Sequence, residues 1–215
     1  MSTINVPAEQ RVVLNDVTWE IYLAITTETD RPGKRIAYDQ GVMEIMSPGK
    51  LHEDIGRLIG RMVEVFTEEL EIDAAAVKST TFRRSDERRG FEADESFYIT
   101  NENAIRGKDD IDLAIDPPPD LVIEIDISRT SMNKFPIFGG LHVPEVWIYD
   151  GESLVVYIRT HGAIYEASER SVVLPTFPLD VAALCLERRH EMSQTEWIRK
   201  FRNHVHDQIK NEGKA

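Results

Sequence analysis

The chain has 215 residues, 41% of them hydrophobic and 29% charged, which fits one large domain able to bury its own core without disulfides or a structural metal. Its single cysteine, Cys185, excludes an internal disulfide and a cysteine-only zinc site. With 38 acidic against 25 basic residues, the net charge of −13 argues against a protein that coats nucleic acid through bulk charge, while leaving room for an enzyme with a local basic path over an acid-lined site.

Trp19, Tyr22 and Leu23, with Ile25, form a short apolar-periodic stretch that Thr18 can cap, which predicts a helix. In KRIAYDQGVMEIMSP, apolar and polar residues alternate on either side of Asp39-Gln40-Gly41, a β-hairpin pattern. Leu51, Ile55, Leu58, Ile59, Met62, Val65, Phe66 and Leu70 repeat at helical spacing, with Arg57, Arg61, Glu64 and Glu68 on the other side. Residues 74–82 read as extended, then a charged loop, RRSDERRG, leads to FEADESFYI, which alternates like one strand. Pro117 to Pro119 forbid helix and central strand alike, so KDDIDLAIDPPPD reads as a surface connection. LVIEIDI has the composition of a buried strand, and a short helix follows from Lys134 to Leu141, with Pro136 in its first turn. VPEVWIYD, SLVVYI and AIYEAS predict three strands, and 179–189 and 194–209 two closing helices. This order predicts one α/β (α+β) domain with a mixed sheet: an N-terminal helical extension over 1–34, a main domain over 35–190 and a C-terminal helix over 191–215. No apolar run reaches the ~18 residues of a membrane span. The start, MSTINVPAEQ, lacks a basic then apolar leader pattern, so a cytoplasmic protein without a membrane partner is expected.

Glu124 interrupts the most apolar run of the chain, and an ionised carboxylate there must be paired, bound to a metal or neutralised. The two-residue period of a strand puts Val122, Glu124 and Asp126 on one face. A half-buried strand with its acids facing solvent would read the same way. Asp94 lies in the FEADESFYI stretch, with Glu92 on its face. Two carboxylates from neighbouring strands can hold one Mg²⁺, which takes hard oxygen ligands and keeps several waters. Lys134, just past the Glu124 strand, can swing its ammonium over a metal-bound water. Arg83, Arg84, Arg88 and Arg89 fall within seven positions and could grip phosphates, or simply be solvated beside Asp86 and Glu87. The acidic run Asp109, Asp110, Asp112 and Asp116 lacks the ligand spacing of a calcium loop, and no Walker loop, GxGxxG or GxSxG occurs.

The run PDLVIEIDISRTS, then Lys134, then VPEVWIYD resembles the Uma-type restriction endonucleases, a bacterial branch of the PD-(D/E)XK nuclease superfamily. Upstream, GVMEIMSPGKLHEDIGRLIGRMV resembles that family's hairpin and first helix, and EADESFYI its strand with the motif aspartate; the likeness runs from about Tyr38 to Asp150. It implies a restriction-endonuclease-like fold, a mixed sheet flanked by helices, and a Mg²⁺- or Mn²⁺-dependent endonuclease acting on DNA. Asp94 and Glu124 match the metal-binding acids, and Lys134 matches a lysine moved from the strand to the next helix. Glu53 is a further metal candidate or a first-turn acid complementing the helix dipole. His52, which matches a position often held by histidine, and Glu44 in the hairpin are secondary candidates.

The chain departs from the pattern in four places. Asp126 stands where the parent motif has lysine, Ala93 where proline is usual and His142 where glycine is usual, and the Lys134 helix carries Pro136 and Gly139-Gly140. The departures keep two other readings open: a nuclease-fold binding module without catalysis, and a metal-dependent phosphodiesterase acting on a small substrate. Cutting both strands with one site per chain would favour a homodimer.

Overall fold

The computed structural model describes residues 9–27, 33–78, 80–127 and 132–212. The chain begins with β1 (Gln10–Leu14) and α1 (Trp19–Thr27), where the Ile21 N–H donates to Thr18 Oγ1 at 3.4 Å, the expected cap. The predicted hairpin is β2 (Arg35–Asp39) and β3 (Val42–Ser47). Gln40 and Gly41 both have positive φ, 47° and 115°, as a two-residue turn between twisted strands requires. The predicted long helix is α2 (Lys50–Glu69), followed by β4 (Ala75–Ala76), β5 (Thr81–Arg84), β6 (Arg89–Glu92), β7 (Glu95–Tyr98) and the short α3 (Glu102–Ile105). Then come β8 (Leu121–Ile125), α4 (Phe135–Gly140), β9 (Glu145–Tyr149), β10 (Leu154–Arg159), β11 (Tyr165–Ser168), α5 (Leu179–Glu187) and α6 (Gln194–Glu212).

These strands form two sheets rather than one. The first has five antiparallel strands in the order β1-β3-β2-β6-β5, and the second has six in the order β11-β10-β9-β8-β7-β4. In the second sheet β8 and β9 run parallel, joined by the α4 crossover, while its other pairs are antiparallel. FEADESFYI is therefore two strands and not one: β6 belongs to the first sheet, β7 to the second, and Asp94 sits at the crossing. The expectation of a purely helical extension over 1–34 also needs correction, because β1 pairs with β3, Val13 opposite Glu44, as a strand of the first sheet. Among the described residues no helix is long and apolar enough to cross a membrane.

Three apolar clusters build the layers. On β8, Leu121, Ile123 and Ile125 pack with α2, α5 and α6, whereas Val122 joins Ala37, Phe82, Phe91, Phe138 and Val146 between the sheets. The outer face of the first sheet is covered by α1 through Trp19, Tyr22, Tyr38 and Met43. Fully burying each such side chain contributes about 1.5–3 kcal/mol.

The glycine pair of α4 has a packing cause at its first member: a Cβ on Gly139 would lie under 3.0 Å from the Ala163 backbone Cα, so the helix could not sit this close to the turn before β11. The next turn is strained instead, because His142 has φ +65° just past the helix end. Its ring contact with Arg159, 3.1 Å from Nη1 to Nδ1, is exposed and worth little. His142→Gly is expected to stabilise the fold by about 0.5–1 kcal/mol, the relieved strain less the extra chain entropy of glycine. A shifted urea midpoint at unchanged slope would check it.

Candidate active site

Glu124 lies on the inner face of β8, on the same side as Val122, looking toward the first sheet. It is 8% exposed, and Lys134, which precedes α4 as its N-cap, donates from Nζ to Glu124 Oε2 at 2.5 Å. The other oxygen, Oε1, is buried without a hydrogen-bond partner among the described residues. Asp94, 4% exposed at the sheet crossing, accepts the Ile125 N–H on Oδ2 at 2.9 Å, which ties it to the end of the Glu124 strand. The structure thus brings Asp94, Glu124 and Lys134 together from three elements.

Helix α2 enters this centre with its first turn. His52 is 2% exposed, with Nε2 2.8 Å from Asp94 Oδ1 and Nδ1 3.0 Å from Glu9 Oε2. Glu53 stands one step outside, half-exposed, with Arg35 at 3.2 Å and Lys78 at 3.7 Å. Arg35 also reaches toward Asp94, Nε to Oδ1 3.9 Å. Glu44 is buried on β3 in one cross-strand row with Ala37, Phe91 and Phe82, and Arg11 of β1 lies 3.4 Å from its Oε1. Arg11 also pairs with Glu9.

The electrostatics follow from burial set against neighbouring charge. Burial pushes the Asp94 carboxyl up, but His52, Lys134 and the Ile125 N–H together hold it below the usual carboxylate range. Burial lifts Glu124 above its ordinary value, helped by the charge of Asp94 and opposed by Lys134. Burial works to lower the Lys134 ammonium, but Glu124 and Asp94 outweigh it and hold it above the usual lysine range. Burial likewise works against protonated His52, and Asp94 with Glu9 more than offsets it.

The remaining candidates lie elsewhere. Asp126 lines a cleft of about 380 Å³ that opens beside Glu124 and Lys134. Glu92, expected on the face of Asp94, instead accepts the Ile36 N–H at 3.0 Å and the Thr81 hydroxyl at 2.7 Å. The four arginines are not brought to the centre. They flank the β5–β6 turn, roughly 15 Å of strand from Asp94. Arg84 pairs with Asp86, Arg89 with Asp39 and Glu87, and Arg83 donates to Thr26. Sequence reasoning missed Glu9, Arg11, Arg35 and Lys78. The one available signal was the alternation of Arg11, Val13 and their neighbours in QRVVL.

Fold and site together define an α/β domain with a buried acid-and-lysine centre at the junction of two sheets. The chain belongs to the Uma2 family, described as "putative restriction endonuclease", whose model matches residues 19–185. It is also similar to a solved structure described as a putative nuclease belonging to DUF820 from Anabaena variabilis ATCC 29413, with a TM-score of 0.46 and 16% identity over 72% of this chain and 85% of that one. No curated protein matches the chain.

Proposed function

We propose that this chain is a divalent-metal-dependent endonuclease hydrolysing DNA phosphodiester bonds, with Asp94, Glu124 and Lys134 at its reacting centre. The observation that carries the reading is the buried trio itself, two carboxylates tied to one strand end with a lysine cation held on one of them at 2.5 Å. Membership of a family described as restriction endonucleases supports the same substrate class.

The donor set fits a hard cation. Among the described residues no three His, Cys, Asp or Glu side chains form a ready cation site. However, Mg²⁺ is commonly bound through one or two carboxylates, with water and substrate oxygens completing its shell. Asp94, held ionised, and the unpartnered Oε1 of Glu124 would hold Mg²⁺ or Mn²⁺, and Glu53 stands near as an outer acid. When bound, such an ion polarises the scissile phosphate and makes water a stronger acid.

The chain's own residues do the rest. Lys134 presents a permanent charge that can orient an attacking water and offset charge growing on the phosphoryl oxygens. The Ile125 N–H donates to one Asp94 oxygen and His52 Nε2 lies 2.8 Å from the other, which restrains the carboxylate on both sides. Asp126 occupies the position of the parent lysine, yet Lys134 supplies the cation on Glu124 from the helix. This favours an active site over a binding module without catalysis.

The test is supercoiled plasmid incubated with Mg²⁺, with Mn²⁺ and with EDTA, beside a small chromogenic phosphodiester. Nicked or linear product only with metal is expected. Folded protein that cuts no DNA with either ion would overturn the proposal, and turnover of the small diester alone would move the substrate class.

A further inference from the structure

The cleft beside Glu124 and Lys134 has a wall that phosphate binding does not require. Met132, Phe135, Phe138 and Ile148 line it. Phe135 follows Lys134 directly, and its ring is held 5.0 Å from both Tyr157 and Tyr165, stacked on the latter. Phe138 is 1% exposed and packs edge-on against Phe91 at 5.0 Å. The apolar wall is therefore rigid before any ligand arrives, which keeps the ordering cost of binding low.

The lining offers few cations with which to track a phosphate backbone. Among the described residues the cleft lining holds two, Arg11 and Lys134. Both already hold acids of the protein: Arg11 sits on Glu9 and Glu44, Lys134 on Glu124. A chain with a net charge of −13 adds no general attraction for DNA. What the described lining adds is its apolar wall, and the apolar face that nucleic acid can offer is that of a base. Bases in a duplex are stacked on one another and cannot present that face unless one leaves the stack. A space of about 380 Å³ suits one small planar group with its few polar contacts.

We infer that this cleft receives one unstacked base next to the scissile phosphate, so the substrate is single-stranded or locally unpaired nucleic acid and not continuous duplex. The inference rests on the nuclease reading, and Phe135 couples the two: a base on its side of the cleft brings its own phosphate toward Lys134. Asp126 and Asn133, also in the lining, are placed to meet the polar edge of the base.

The experiment separates this from the nuclease reading. Four labelled 30-mers are compared: a duplex, a single strand, a duplex with one unpaired nucleotide, and the same with that nucleotide made abasic. Cleavage with Mg²⁺ is expected at least about fivefold faster for the single strand and the unpaired site than for the duplex, and the abasic change should remove the advantage. In EDTA, anisotropy should show single-strand affinity falling less than about tenfold between 50 and 200 mM salt, as two or so phosphate contacts dictate. Phe135→Leu should weaken single-strand binding several-fold while circular dichroism stays unchanged. Equal rates for all four substrates would overturn the base pocket while leaving the nuclease intact. No cleavage of any would overturn the nuclease reading. The EDTA comparison of intact and abasic strands would then decide the pocket, equal affinities sinking it.

Discussion

Glu124→Gln is expected to lower metal-dependent cleavage on the order of 10³-fold, measured as single-turnover rates with Mg²⁺ and with Mn²⁺. The substitution keeps the volume and the acceptor that meets Lys134 Nζ, so the fold should survive. What it removes is the negative charge and the hard oxygen at Oε1, the buried atom without a partner among the described residues. Mn²⁺ binding followed by electron paramagnetic resonance should weaken in parallel. Asp126→Asn is the matched comparison. It lines the same cleft from just past the end of β8, and its rate should fall far less. If the two variants retained equal activity, Glu124 would lose its place at the centre.

Much of this centre could be read from the residues because its parts are local. LVIEI announces a buried strand, the strand period puts Glu124 beside Val122 on one face, and the helical start of Lys134 lies ten residues on. What could not be read depends on how distant segments meet. FEADESFYI reads as one strand, yet the chain changes sheets at Asp94, which sends Glu92 to the Ile36 amide and leaves Asp94 to the Ile125 amide. No local pattern distinguishes those two acids. β1 escaped notice because it is an edge strand whose Val12 is 54% exposed, so its weak periodicity carries little hydrophobic signal. Arg11 and Glu9 reach the site only through its pairing with β3. The arginine cluster stays off the centre for the opposite reason: closeness in sequence to Asp94 is distance along β6. His52 ranks in the sequence as a secondary candidate behind Glu53, but it is the inner of the two, because α2 presents that side to Asp94.

Lys134→Met should cost stability as well as activity, and the two losses can be separated. Removing the ammonium leaves Glu124 buried with Asp94 nearby and its own counter-charge gone, a loss of about 3–5 kcal/mol for a broken buried pair. The pair itself need not be stabilising, since desolvating both charges consumes most of their attraction. The double variant Glu124→Leu with Lys134→Met should therefore be more stable than Lys134→Met alone, although it lacks more of the native contacts. The pH dependence has a definite sign. Burial raises the folded Glu124 carboxyl above its unfolded value, so the folded state favours the protonated acid. That contribution is fully present below the unfolded value and is lost as pH rises through the folded one. Without Lys134 the folded value rises further, so the deficit of the single variant in EDTA should be largest at alkaline pH and shrink as the solution is acidified. Urea titrations of wild type, both single variants and the double variant between pH 5 and pH 8 would measure it. A deficit that stayed constant across that range, or a double variant less stable than Lys134→Met, would mean that Lys134 does not serve as the counter-charge of Glu124.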